Sequence, residues 1–457
     1  MKVALRKLTR EANFLSLTGH IAFAFFGFAG FALLARTFSA DLFGQWVLYV
    51  SSAAFIEMFR FGITNTAIIR FLSGASQDQR LKFIGSNGLI GVIATTGITI
   101  IVVACSLLFP GPIEKAGYGL FFTWYPLVAF LNLPYNTALV IMHADLQFGK
   151  ILLVRMINSG GFFLVILLNY LFFDMNLTQL LISQIVIISI TSLVSVLAGW
   201  DGLRHIRKAT RETNKVLLDF GKYTTFTLIG TNLLRSADTL IISLSPMGTA
   251  AVALYSIPMK LTELQQIPLR SFVATAFPKM SKASIQHRVD EVKSLFYTYS
   301  GALTYLFIVG SLITFIFADF FVMLLGGKQY MGVDPVTGAN TVTIMRIFSI
   351  YGLILPIDRM TGIGLDSINK PAVNFVKVSL MVITNVVGDL IAIFVFKSLE
   401  AVAIASIIFT ALGVWLGYYF LDKELSLDHR STFTYGINFY RDMYEKVKVQ
   451  WLQFRKG

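Results

Sequence analysis

The chain has 457 residues, 55% of them hydrophobic and 14% charged, with a net charge of +13. A mean hydropathy of +0.70 leaves too little polar surface to cover a soluble fold, so a soluble globular protein is excluded and a polytopic membrane protein is expected. One cysteine, Cys105, excludes a disulfide framework, and the positive charge reads as basic loops beside acidic lipid rather than as a nucleic-acid footprint.

Residues 1–10 carry Lys2, Arg6, Lys7 and Arg10 ahead of the apolar run 13–35, which is too long for a cleavable signal segment and reads as a retained first span. Runs of roughly 20 to 27 mostly apolar residues follow, each able to cross a hydrocarbon core of about 30 Å. They lie at 13–35, 42–66, 84–108, 117–141, 150–173 and 177–200 in the first half of the chain. In the second half they lie at 219–243, 250–276, 295–317, 341–365, 371–395 and 400–420. Lipid admits only helices or closed barrels, and the runs lack the short alternation of a barrel. The expected fold is therefore an all-α polytopic membrane protein with twelve transmembrane helices.

Loop charge sets the expected orientation. One set of loops holds Arg70, Arg80 and Lys82, then Arg204, Arg207, Lys208, Arg211 and Lys215, then Lys279, Lys282, Arg288 and Lys293. The opposite set offers little beyond Arg36, Lys115, Lys328 and Lys397. Both termini are thus expected in the cytoplasm. A basic linker, 201–218, separates an N-terminal six-helix bundle, 1–200, from a C-terminal one, 219–420. Shifting the first half by about 209 positions places FGQW (43–46) on VALY (252–255) and AIIRF (67–71) on AFPKM (276–280) without a gap. The two bundles read as parallel repeats around a central cavity. The tail, 421–457, mixes Phe433, Tyr435, Phe439, Tyr440, Tyr444 and Trp451 with Arg441, Lys446, Lys448, Arg455 and Lys456. That mixture suggests an amphipathic helix on the cytoplasmic leaflet, with a loosely ordered tail as the alternative.

Charges inside the spans are costly and mark sites by default. Trp46, Tyr49, Glu57, Arg60 and Thr64 fall within about 80° on one helical face at 100° per residue. Span seven repeats the arrangement with Thr224, Thr227, Thr231, Arg235 and Asp238, and span eight carries Ser256, Lys260, Glu263 and Arg270. Span one adds Asn13, Ser16 and His20. Three opposite-charge pairs stand at i, i+3: Glu57 with Arg60, Arg235 with Asp238, and Lys260 with Glu263. Such pairs either neutralise one another or line an aqueous cavity, and their recurrence in corresponding helices favours the cavity. Arg155, Arg270, Arg346 and Lys377 have no acid within a helical turn, while Asp389 stands alone in span eleven. An excess of guanidinium suits an anionic ligand, which it grips bidentately. Arg60, Arg155, Arg235 and Lys260 are the leading ligand candidates, with Arg270 and Arg346 behind them; Lys222, Arg270 and Lys377 lie within snorkelling reach of the cytoplasmic side. Glu57, Asp238, Glu263 and Asp389 are the acids available for charge pairing or for a coupling ion, H+ or Na+. No paired carboxylates on an outer loop, no metal spacing and no phosphate loop occur, so no enzyme, cofactor or metal is expected. Pro126, Pro134, Pro268 and Pro356 lie inside spans and are expected to bend them.

These residues resemble a known family. LARTFSADLFGQWVLY (34–49) with FGITNTAIIRF (61–71), and SADTLIISLSPMGTAAVALYSIPMKLTELQQIPLRSFVATAFPKMSK (236–282), are similar to the polysaccharide transporters. These are the O-antigen and oligosaccharide flippases of the multidrug/oligosaccharidyl-lipid/polysaccharide exporter superfamily. The resemblance implies a flippase in the bacterial inner membrane that carries an undecaprenyl-diphosphate-linked oligosaccharide from the cytoplasmic to the periplasmic leaflet by alternating access, and a monomer is expected. It also implies a cationic lumen lined by the first, second, seventh and eighth helices. A multidrug antiporter of the same superfamily and a membrane polysaccharide polymerase or ligase are the rivals. The antiporter would favour acids and aromatics over arginines. The enzyme would need a long outer loop, and the longest outer connection here has only about 20 residues.

Overall fold

Local sequence signals fix where the helices of this computed structural model begin and end. It describes residues 12–72, 75–428 and 430–454, although the side chains of 12–18, 20, 63, 66, 222–231, 234, 235, 446, 447 and 449–454 fall outside the description. Asn176 caps one helix by accepting from the Gln179 amide while Gln179 returns a bond to the Asn176 N–H, a reciprocal box. Thr210 with Thr213 forms a second reciprocal box, and Asn340 and Ser398 cap two further helices by accepting backbone N–H bonds. Among the described residues the chain is helical apart from short turns, with one isolated β-bridge between Val333 and Asn340.

Contacts divide the chain into two compact units, Met1–Ala253 and Leu254–Gly457. The first holds α1 (Ala12–Thr37), α2 (Ala40–Leu72), α3 (Gln77–Leu108), a short α4 (Pro110–Lys115), α5 (Gly119–Leu131), α6 (Leu133–Ala144), α7 (Phe148–Arg155), α8 (Gly161–Phe172), α9 (Leu177–Leu197) and α10 (Arg211–Ser243). A single π-helical turn, Met156–Gly160, joins α7 to α8. Helix α11 (Gly248–Ile285) begins in the first unit and continues into the second. The second also holds α12 (Val289–Ile316), α13 (Ala318–Gly326), α14 (Thr341–Ser367), α15 (Pro371–Phe394), α16 (Leu399–Leu425) and α17 (Ser431–Phe454).

Each of the twelve apolar runs read from the sequence is helical. Eight continuous helices are long and apolar enough to cross a membrane among the described residues: α2, α3, the α7–α8 run, α9, α12, α14, α15 and α16. Helices α5 and α6 make a ninth span if the bent pair crosses as one. Helix α9 shows the apolar surface that lipid requires. Ile182, Val186, Ile190, Leu193 and Leu197 form an exposed stripe, while Leu181, Ile185, Ile188 and the polar Thr191, Ser192 and Ser195 turn inward.

In the first unit α10 packs along α2, although the internal repeat places α10 at the start of the second half. Small residues permit the closest approaches. A Cβ on Gly44 of α2 would lie 1.9 Å from the Thr249 carbonyl oxygen, where the Thr249 hydroxyl also donates to Asp41 at 2.5 Å. The basic linker is docked rather than loose. Its short 3-10 helix, Leu203–Lys208, lies so close to α3 that a Cβ on Gly85 would be 2.2 Å from the His205 carbonyl oxygen. Asp201, buried at the start of this turn, has its carboxyl pushed up by burial, opposed by backbone N–H bonds and by Arg204.

In the second unit α14, α15 and α16 pack on one another, and α12 packs on both α14 and α17. Phe296, Leu303, Met360, Leu365 and Leu421 lie in its core. The α12–α17 crossing depends on two glycines, since a Cβ on Gly301 would meet the Thr432 carbonyl oxygen at 2.0 Å. Gly301→Ala is expected to prise α17 away at a cost of about 1–3 kcal/mol, the usual size of overpacking. Limited proteolysis reads this as faster cleavage within 426–431, and an unchanged cleavage rate contradicts it.

Candidate functional site

The polar stripe of α2 turns into the first unit. Trp46, Tyr49, Arg60 and Thr64 are buried, and Trp46 stacks on Phe162 of α8 with ring centroids 5.8 Å apart. Arg60, with 0% of its surface exposed, pairs with Glu57 one turn away, as the i, i+3 spacing allows. Its other terminal nitrogen donates to the Ala129 carbonyl oxygen at 2.6 Å, and its guanidinium lies 4.4 Å from the Phe61 ring centroid. Glu57 in turn accepts from the Tyr125 hydroxyl at 3.0 Å and the Asn136 amide at 3.5 Å.

These partners meet where α5 and α6 bend by 50°. Pro134, in the first turn of α6, lacks the N–H that a continuous helix would send to the carbonyl four residues back. Two carbonyls beside the break take side-chain donors instead: Ala129 accepts from Arg60 and Leu131 accepts from Ser192. Sequence reading anticipated a bend at Pro134 but not Tyr125, Asn136 or Ser192 as partners. Tyr125 and Asn136 were signalled only as polar residues near a span proline, and Ser192, in a span without proline, by nothing.

Arg155 sits at the second irregularity, the junction of α7 with the π-helical turn. It is half-buried, and its guanidinium lies 5.4 Å from the Phe23 ring centroid of α1. Among the described residues it has no carboxylate partner. The inserted residue of a π-turn rotates everything after it about the helix axis, a device frequent at functional sites. Asp238 of α10 is buried, whereas the side chains of Arg235, Thr224, Thr227, Thr231, Asn13, Ser16 and His20 lie outside the described residues.

In the second unit the Lys260 ammonium donates to Glu263 at 2.8 Å, with 24% and 34% of the two side chains exposed. Arg270 is exposed on α11. Arg346, in the second turn of α14 with 43% of its side chain exposed, reaches Asp319 of α13 at 2.9 Å. Asp389 is fully buried and accepts from the Asn385 amide at 3.1 Å. Lys377 departs from its expected path to the headgroups. It is buried between α14 and α15, 2.7 Å from the Asp358 carboxylate, and also donates to the Asp358 carbonyl oxygen at 2.8 Å and the Thr361 hydroxyl at 3.2 Å. Seven residues into α15, its amine meets a carboxylate on the neighbouring helix before it reaches water. Among the described residues no cluster of His, Cys, Asp and Glu is arranged to hold a metal ion.

Comparison with known proteins gives the fold an identity. The chain is similar along 94% of its length to lipid II flippase MurJ in an inward closed conformation, with a TM-score of 0.71, 13% identity and 91% of that chain covered. It is similar along 88% of its length to an inward-facing multidrug resistance MATE family transporter of the MOP superfamily, with a TM-score of 0.73, 13% identity and 94% of that chain covered. A MOP superfamily transporter from Pyrococcus furiosus, noted for the reverse polarity of its binding pocket, matches at a TM-score of 0.60 and 14% identity, over 90% of this chain and 93% of that one. No curated protein matches the sequence. The fold is that of the MOP superfamily transporters, and residues 11–284 match the family model described as polysaccharide biosynthesis protein; the chain belongs to that family.

Proposed function

We propose that this chain is a flippase for an undecaprenyl-diphosphate-linked oligosaccharide, moving it from the cytoplasmic to the periplasmic leaflet of a bacterial inner membrane. In this reading twelve spans form two six-helix repeats with cytoplasmic termini, and the halves rock around a wet cavity that holds the diphosphate and sugar while the polyprenyl tail stays in lipid. No bond is made or broken, so the protein is not an enzyme. The family match and the likeness to a lipid II flippase support the substrate class. The observation that carries it is Arg155, a half-buried guanidinium against an aromatic ring with no carboxylate partner among the described residues. A desolvated cation without a counter-charge is costly unless an anion joins it, and a diphosphate supplies two charges in the geometry a guanidinium prefers.

Arg155 and Lys260 are the first candidate ligands in this reading, followed by Arg235 and by Arg270, which is exposed on α11. Arg60 holds the fold, and Arg346 is taken up by Asp319. If an ion drives the cycle, buried Asp238 and Asp389 and the paired Glu57 and Glu263 are the acids that exchange it.

Purified protein in liposomes with a fluorescent polyprenyl-diphosphate oligosaccharide provides the test. Arg155→Ala or Lys260→Ala is expected to slow flipping roughly ten- to a hundredfold, the value of a lost charged hydrogen bond of about 1.5–3 kcal/mol. Unchanged flipping in both variants removes them from the site. Accumulation of a cationic drug, with no movement of the lipid, replaces the flippase by an antiporter.

A further inference from the structure

The tail helix α17 packs on the second unit through one broad face, with Tyr435 against Tyr297 and Phe433 edge to face with Tyr305. Thr432 and Gly436 press on Gly301 of α12, Phe439 meets Phe272 with ring centroids 6.0 Å apart, and the Tyr440 hydroxyl donates to the Ala302 carbonyl oxygen at 2.8 Å. At the entrance to the helix, the Asp428 amide donates to the Tyr297 hydroxyl at 2.6 Å. Contacts from 432, 436 and 440 converge on residues 301 and 302, where α17 packs tightly on α12.

Exposure along α12 sets the level of that crossing. Between Val292 and Tyr305 no large apolar residue of α12 is exposed among the described residues, whereas Leu306, Val309, Leu312, Ile313 and Ile316 all are. The lipid-facing belt thus begins immediately beyond the crossing. Helix α12 has 28 residues, about 42 Å at 1.5 Å per residue, against a hydrocarbon core of about 30 Å. The excess leaves its first turns in the interface, on the side of the basic segment that holds Lys279, Lys282, Arg288 and Lys293.

The free surface of α17 matches that level. Taking Phe433 as zero and 100° per residue, Ile437 and Tyr444 lie within about 40° of it, and the sequence continues the stripe through Val447 and Trp451. Phe433 is 49% exposed, Ile437 55% and Tyr444 65%. The docked positions 432, 436 and 439 lie about 60–120° to one side of the stripe, and Arg441 and Lys448 flank it about 60–80° to the other. Glu445 and Asp442 lie farther round, at about 120° and 180°.

We propose that α17 lies in the membrane interface with this aromatic and apolar stripe in the acyl boundary, and binds acidic phospholipid headgroups through Arg441 and Lys448. Continuity with the belt that starts at Leu306 and the cations flanking the stripe single out lipid rather than a protein partner. The assignment does not depend on what the protein transports.

The test uses the full chain, freed of its single native cysteine by Cys105→Ala, with one cysteine placed at Ile437, Tyr444, Asn438 or Asp442 and labelled with a fluorophore in bilayers. A lipid-borne bromine quencher is expected to act at least threefold more strongly at 437 and 444 than at 438 and 442, and aqueous iodide the reverse. In detergent, Arg441→Gln with Lys448→Gln is expected to lower the preference for phosphatidylglycerol over phosphatidylcholine by about 30-fold, close to fivefold per cation. Arg441→Lys with Lys448→Arg retains it. Iodide access at 437 and 444 equal to that at 438, or a headgroup preference unchanged by the double glutamine variant, overturns the proposal. Either result leaves the flipping assay untouched, so the two readings fail independently.

Discussion

Replacing Arg60 with methionine is expected to destabilise the protein by about 3–5 kcal/mol, the cost of leaving a buried charge without its partner. Glu57 keeps only the Tyr125 hydroxyl and the Asn136 amide, and the Ala129 carbonyl beside the helix break loses its Arg60 donor. Glu57→Gln is expected to be the more damaging single change, because Arg60 is fully buried while 21% of the Glu57 side chain is exposed. The guanidinium has nowhere to relax. Combining Glu57→Gln with Arg60→Met is expected to recover part of the loss, since removing a whole buried pair is far cheaper than removing half of it. Unfolding of the purified protein in detergent reads all three variants. Unchanged stability in Arg60→Met, with flipping abolished, would instead make Arg60 a ligand and the Glu57 contact incidental.

That experiment addresses a question the sequence posed without answering. Spacing alone showed that Glu57 and Arg60 share one face of a helix, and it left open whether that face met water, substrate or protein. The deciding atom is the Ala129 carbonyl oxygen, 69 positions away in the chain. Its availability follows from a break between two helices rather than from any residue type. The spans themselves were legible because hydropathy belongs to each residue, and Pro134 announced a bend because it lacks an N–H. The π-turn after Arg155 carries no such mark: MINSG reads as ordinary helix until packing against α1 and α9 rotates it. Likewise the repeat in the sequence paired residues 43–46 with 252–255, but pairing by ancestry does not state contact. In the fold Gly44 touches Thr249 directly.

Lys377 makes the same point with a larger energetic consequence. Lysine near the end of a span commonly extends along the helix to water, yet here the ammonium is held by one carboxylate, one carbonyl and one hydroxyl, with 2% of the side chain exposed. Two glycines of α16 close the site: a Cβ on Gly413 would lie 2.5 Å from the Asp358 carboxylate, and one on Gly417 would lie 2.1 Å from the Thr361 hydroxyl. Nothing there yields to let water reach an orphaned charge. Lys377→Met or Asp358→Leu alone is therefore expected to cost about 3–5 kcal/mol and to lower the yield of folded protein sharply. Making both changes is expected to restore most of the stability, because an apolar pair fills the site without leaving a charge behind. The exposed pair Lys370 with Glu424, 42% and 38% exposed, provides the control. Lys370→Ala is expected to cost less than about 1 kcal/mol. If the double variant is as stable as the original chain but no longer flips lipid, the pair is a moving part of the transport cycle. If it flips normally, the pair only ties α14 to α15. If the single variants match the Lys370→Ala control, the buried geometry described for Lys377 is not the one the protein adopts.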